Sequence, residues 1–230
     1  NAALKNVSSI QDLGNHRVKI TYSSKASEVQ NGMCFQSRPT VRDHAGTFFW
    51  KSKDITMTSL DIHFLHGFGM VGQHSENITM DDVDFEAPKE SGRTTAGYAD
   101  FVQMSGCKGT INISNCTFAG PHDDPINIHG TFNTVTAISS DRRTITVQYN
   151  HNETAGFPNF FEGDEIEFMT KGNMITVEDS VRTVTKVDGP DGMGGNMGDG
   201  SGSLTTIKLT LNEAVPSDVQ VNQHVVENIT

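Results

Sequence analysis

The chain holds 230 residues with 28 Asp+Glu against 17 Lys+Arg, a formal charge of -11 and a pI near 5.1, so its surface repels phosphate backbones and nucleic acid is not an expected partner. Hydrophobic residues make up 35% and the 22 Gly outnumber the 7 Pro, which points to short strands and many turns rather than packed helices, in one or two domains. No stretch reaches the roughly 18 apolar residues of a membrane span, and the N-terminal NAALKNVSSIQ lacks the basic-then-apolar pattern of a signal peptide, so the chain reads as soluble, with no membrane partner and any export signal absent from it.

The first half repeats itself. Asp54–Ile62, Asn77–Phe85 and Thr110–Phe118 each read apolar-x-apolar, two polar residues, apolar-x-apolar. Period-2 alternation predicts strands, and the polar pair predicts a bend that keeps both apolar pairs inward. An apolar residue precedes each leading position by seven: Phe48 before Ile55, Val71 before Ile78, Met104 before Ile111 and Ile128 before Val135. Leading positions are spaced 23 (55 to 78), 33 (78 to 111) and 24 (111 to 135). A coil of that length with short strands and one variable turn predicts a parallel β-helix. The longer interval carries an extra polar loop, placed at 86–95. An antiparallel sandwich fits less well, because hairpins do not hold a constant register between coils.

After Phe132 the pattern changes. Thr134–Ile138 and Thr144–Tyr149 flank Ser139–Arg143 as a hairpin, and strands follow at Glu165–Met169, Arg182–Val187 and Leu204–Leu211. The Gly/Asp-rich run 188–203 does not follow a calcium-loop register and reads as a mobile hairpin tip. The expected division is therefore β-helix coils over 1–132, an inserted small antiparallel barrel over 133–222, and the start of a further coil over 223–230. Six Asn-x-Ser/Thr sequons, at Asn6, Asn77, Asn112, Asn115, Asn152 and Asn228, follow from turn-favouring Asn beside strand-favouring Thr and Ser. Cys34, Cys107 and Cys116 form no CxxC pair and read as buried free thiols.

Register also places chemistry. Asp100 and Asp124 each stand eleven residues before a leading apolar position, so Tyr98-Ala99-Asp100 and His122-Asp123-Asp124 are expected side by side at the roughly 4.8 Å strand spacing. Adjacent coils are expected to bring His66 and Gly67 to the same edge. Close carboxylates raise one another's proton affinity, which is costly in a structural role and useful in acid/base chemistry. No His-x-x-x-His or comparable cluster is present, so neither a catalytic metal nor any other cofactor is expected.

The strings Gly120-x-His122-Asp123-Asp124-Pro125-Ile126-Asn127-Ile128-His129-Gly130-Thr131, Tyr98-x-Asp100-Phe101-x-Gln103-x-Ser105-Gly106-Cys107 and His151-x-x-Thr154-x-Gly156-Phe157…Phe160-Phe161-x-Gly163-Asp164 resemble glycoside hydrolase family 110. Members are exo-acting α-1,3-galactosidases, some of which remove the terminal galactose of the blood group B antigen. The resemblance runs from about Arg38 to the chain end. It implies an all-β fold, a right-handed parallel β-helix with an inserted β-barrel, and a secreted, periplasmic or cell-surface enzyme. Members are usually longer, with coils continuing after the barrel, so the chain reads as a truncated piece of such an enzyme. The implied chemistry is an inverting, metal-independent hydrolysis of a glycan ending in α-galactose, with Asp123 and Asp124 activating water.

A second carboxylic acid must then protonate the leaving oxygen from about 6.5–9.5 Å away. Glu153 is the first candidate, since its loop leaves the barrel near the solenoid junction, and Glu162 the second; Glu165 and Glu167 alternate with Ile166 and Phe168 as a strand's solvated face. Asp100, Asn127 and His129 are expected to bind sugar hydroxyls beside His122, with Tyr98 or Trp50 stacking on galactose. Two rival readings remain. A polygalacturonase-like hydrolase also uses an Asp pair on a β-helix but normally adds basic residues, and few lie near Asp123 in sequence. A non-catalytic carbohydrate-binding β-helix module calls for more aromatic platforms than a chain with 7% aromatic residues offers.

Overall fold

Period-2 sequence folds as expected into strands throughout. The computed structural model describes residues 4–26, 28–35, 42, 44–151, 154–155, 157–190 and 205–230. Contacts divide the chain into two units, Asn1–Pro39 and Thr40–Thr230. In the first, β1 (Val7–Gly14) and β2 (Arg17–Tyr22) pair antiparallel. Asn15 and His16 turn the chain with φ of 51° and 57°, the double positive φ that suits a tight hairpin. This segment was expected to open the parallel coils; consecutive strands joined by so short a turn can only pair antiparallel.

The second unit begins with two parallel sheets whose strands alternate along the chain. One holds β3 (Thr47–Trp50), β5 (Met70–Gln73), β7 (Val102–Ser105) and β10 (Ile126–His129), in the order β10-β7-β5-β3. The other holds β4 (Lys53–Asp61), β6 (Glu76–Phe85) and β8 (Lys108–Ser114), with the short β9 (Thr117–Phe118) also pairing β6. In the first sheet Thr47 meets Met70, Met70 meets Val102 and Val102 meets Ile126, offsets of 23, 32 and 24. In the second, Ile55, Ile78 and Ile111 align as the spacing predicts.

The polar bends have a backbone cause. Ser59, Asp82 and Asn115, the second residue of each polar pair, are left-handed, with φ of 52°, 59° and 54°. Each reverses the pleat for one residue, so the apolar pairs on both sides face the same core. Ile78, Met80, Val83 and Phe85 are fully buried there, and Phe85 stacks on Phe118 at 5.0 Å.

Sequence spacing misplaces one residue in this stack. Val71 was expected beside Met104, but it pairs Gln103. The offset changes from 32 at Glu76/Lys108 to 33 at Ile78/Ile111, across Gly109 at φ +70°, whose added Cβ would lie 2.4 Å from Asn77 Oδ1. Asn77 Oδ1 accepts from Thr110 N at 3.2 Å, sealing the bulge.

β11 (Asn133–Ile138), β12 (Thr144–Tyr149), β13 (Glu165–Thr170), β14 (Arg182–Asp188), β15 (Thr206–Leu211) and β16 (His224–Asn228) close an antiparallel barrel in the order β11-β12-β15-β14-β13-β16. Ile145, Val147, Tyr149, Ile166, Phe168 and Leu209 fill it. Its last strand corrects an expectation: 224–228 does not open a further coil but pairs β13 and β11, because burying Val225 and Val226 while satisfying both backbone edges closes the sheet on itself. Of the Gly/Asp-rich run at 188–203, residues 191–203 lie outside the described residues. Among the described residues no helix is long and apolar enough to cross a membrane.

Candidate active site

The parallel pairing of β7 with β10 sets two acidic segments side by side. Phe101 N donates to Asp124 O at 3.0 Å and Val102 N to Pro125 O at 3.2 Å, so Asp100 stands in line with Asp124. A third strand approaches so closely that a Cβ on Gly69 would lie 2.0 Å from Asp100 O. With φ of +84°, that position takes glycine for both reasons. Carboxylate oxygens of Asp100, Asp123 and Asp124 come within 4.8 Å of one another. Asp100 is buried at 3% exposure, while Asp123 and Asp124 are exposed.

Burial pushes the Asp100 carboxyl above the usual carboxylate range. A hydrogen bond from Asn127 Nδ2 (3.2 Å) and the charge of Arg42 oppose that rise, and the charges of Asp123 and Asp124 add to it. Arg42 was not anticipated. Its guanidinium forms an ion pair and hydrogen bond with Asp123 and lies 5.6 Å from the centre of the Phe68 ring. The three carboxylates are the described His/Cys/Asp/Glu group close enough to share a cation, and Arg42 already brings one positive charge to them.

From this edge the outward face of the first sheet presents two rows. Register aligns Phe48, Val71, Gln103 and Asn127 in one, and Trp50, Gln73, Ser105 and His129 in the other. The face is therefore apolar at Phe48 and Val71 and polar on β7 and β10. A cavity of about 290 Å³ lies over Phe48, Val71 and Gln103, with Phe68 on one side and Phe157 on another. A second of about 440 Å³ lies over Gln103, Asn127, His129 and Thr131, beside Asn150 and His151. Gln103 and Thr154 line both. Such a groove, apolar on one side with convergent polar groups on the other, is a common form of small-molecule site.

The expected site residues separate as follows. Asp100, Asp123, Asp124 and Asn127 come together. His129 lies on the same face one pleat further on, its Nδ1 2.8 Å from Gly130 O. Tyr98 and His122 are half-buried on the segments that carry Asp100 and Asp123. Register sets His66 beside Tyr98, Gly67 beside Ala99 and Phe68 beside Asp100, since Leu65 pairs Gly97 and Met70 pairs Val102. Trp50 lies away from the carboxylates, its ring 6.0 Å from Phe161. Glu153 lies outside the described residues, although His151 and Thr154 beside it line the groove. Glu162 is exposed, next to the Phe161 ring that Lys51 covers at 3.4 Å. One more carboxyl, Glu227, is raised by burial and by Glu167. It neighbours Gly130, at the end of β10 remote from Asp124.

Comparison with known proteins adds chemistry to this geometry. A family model described as GLAA-B beta-barrel domain II matches residues 144–190, within the barrel. Curated proteins named alpha-1,3-galactosidase A are similar over almost the whole chain. That of Streptomyces avermitilis is 46% identical over 230 residues, 100% of this chain and 36% of the relative. Those of Peterkaempfera griseoplana and Bacteroides thetaiotaomicron are 43% and 38% identical, each over 93% of this chain and over 30% and 36% of the relative. The chain thus spans about a third of the length of the curated relatives it matches.

Proposed function

We propose that the chain carries the reaction centre of an exo-acting, inverting α-1,3-galactosidase. The alternating parallel sheets are read as coils of a right-handed β-helix, the hand that parallel crossovers favour. The observation that carries the reading is the stacked carboxylate cluster, Asp100, Asp123 and Asp124, tied to an amphipathic groove by Asn127, which donates to Asp100 and lines one of the two cavities. A pyranose has an apolar face and polar edges, as the groove does. The similarity to proteins named alpha-1,3-galactosidase supports galactose as the sugar and a carbohydrate as the partner.

In this mechanism Arg42 holds Asp123, and Asp124 takes a proton from the water that attacks the anomeric carbon. The carbon–oxygen bond to the leaving group breaks as Glu153, in the segment that follows His151, gives its proton to the departing oxygen. Galactose leaves with the β configuration. Asp100 and Asn127 bind hydroxyls beside the Asp pair. The reading places the protein outside the cytoplasm, in secreted, periplasmic or cell-surface form.

Incubation with an α-1,3-galactosyl disaccharide, followed by NMR, tests it. β-Galactose is expected as the first product; initial α-galactose overturns inversion, and no release together with measurable galactoside binding leaves a binding module. Asp123→Asn and Asp124→Asn are each expected to lower kcat by about 10²–10⁴-fold, and full activity in both overturns the site. Arg42 beside the cluster also favours a second reading, a hydrolase of uronate-containing chains, and release of sugar from polygalacturonate in place of the galactoside supports it.

A further inference from the structure

A residue that lines the groove holds a buried polar atom with no partner among the described residues. Gln103 Oε1 is buried and accepts no hydrogen bond among the described residues. Buried acceptors of this kind are costly and uncommon in folded proteins. Gln103 lies where the two cavities meet, since it lines both.

Neighbouring chemistry fixes which end of the amide meets His129. His129 Nδ1 is 2.8 Å from Gly130 O. A carbonyl oxygen only accepts, so Nδ1 carries the proton of the neutral ring, and Nε2 is left as an acceptor. Gln103 Nε2 stands 3.3 Å from His129 Nε2 and therefore donates to it. Turning the amide over would set its oxygen against the imidazole lone pair, so the oxygen stays at the end of the amide away from His129. In the neighbouring row Ser105 Oγ lies 2.8 Å from Thr131 Oγ1. Asn127, beside Gln103 in register, spends its amide on Asp100.

We propose that Gln103 is a specificity-determining residue: its Oε1, oriented through His129, accepts a hydrogen bond from one hydroxyl of the glycoside bound in the groove. The ligand class rests on the galactosidase reading, which the proposal deepens by naming the group that reads a single hydroxyl. A ligand lacking that hydroxyl leaves the buried oxygen unpaired, whereas a ligand bearing it supplies the missing donor.

The test is binding of methyl α-galactopyranoside and its 2-, 3-, 4- and 6-deoxy derivatives to the 230-residue chain, read by calorimetry or NMR titration. One deoxy sugar is expected to bind about tenfold more weakly than the parent. That one preference is expected to vanish in Gln103→Met and persist in Gln103→Glu, which keeps the acceptor. Gln103→Asn withdraws the oxygen while keeping an amide, and is expected to behave as Gln103→Met does if the latter fails to fold. An unchanged pattern across the deoxy series in Gln103→Met or Gln103→Asn overturns the proposal. If methyl α-glucopyranoside binds and the galactoside does not, the galactose reading fails, and the matching deoxyglucosides decide the role of Gln103. Binding of neither glycoside overturns the Gln103 proposal, while release of sugar from the disaccharide still decides the galactosidase reading.

Discussion

The barrel and the parallel stack bury similar side chains by different means. In the barrel every strand has two neighbours, and Val135, Ile145, Val147, Ile166 and Phe168 are all fully buried. In the stack, Met104 is fully buried while Ile128, its partner on the next strand, is 51% exposed. One position in the same repeat is core on β7 and surface on β10. A closed sheet supplies its own cover, whereas a strand of an open parallel sheet is only as buried as its neighbours make it. The carboxylates and the polar row belong to the stack, where side chains of consecutive strands accumulate in line. The barrel contributes Thr154 and Phe157 to the groove and no carboxylate of the cluster.

Substitutions can break that contrast. Phe168→Ala in the barrel is expected to cost about 3–5 kcal/mol, measured by denaturant unfolding, with amide exchange protection falling in all six barrel strands together. A loss confined to β13 would show that the barrel is not one cooperative unit. Met104→Ala is expected to cost about 2–5 kcal/mol and Ile128→Ala about 1 kcal/mol or less; equal losses would mean that both positions are covered alike in solution.

Asp100→Asn gives the smallest and most pH-dependent effect. Burial first, then the charges of Asp123 and Asp124, raise the Asp100 carboxyl in the folded protein. Its contribution to stability is thus complete below the unfolded-state value and lost as pH rises through the folded one. An asparagine cannot ionise, so stability of the variant is expected to gain on that of the parent as pH rises above about 4. Parallel stability curves across that range would remove Asp100 as an ionising group.

Much of the strand pattern was legible because strands of one sheet repeat a period. The 23-residue spacing aligns Ile55 with Ile78, and counting back from Ile111 and Val135 aligns Asp100 with Asp124. The count failed where a single residue, at Gly109, bulges from β8. It displaced Val71 from Met104. Arg42 was illegible because it stands 81 residues before Asp123 in a stretch with no period, and only the folded chain brings them together. Val225-Val226 reads equally well as coil or barrel, since alternation gives a strand and not its partner. Trp50 and Phe48 share a face by the same alternation, but packing of Trp50 on Phe161 depends on barrel residues that no stack register predicts.

The long offsets of the parallel sheets also bear on the order of folding. Each parallel pairing closes a loop of at least 23 residues, whereas β11 and β12 meet across the short turn at Ser139–Arg143. Contacts near in sequence form first because they lose less chain entropy. The Arg42–Asp123 contact, 81 residues apart, costs about 1 kcal/mol more in loop closure than a one-coil pairing. The acidic cluster therefore gains its cation late, after the strands that carry its carboxylates have paired. A nascent chain would hold Asp100, Asp123 and Asp124 together before their charge is offset, and salt in the refolding buffer, which screens the attraction between Arg42 and the cluster, should slow that final step.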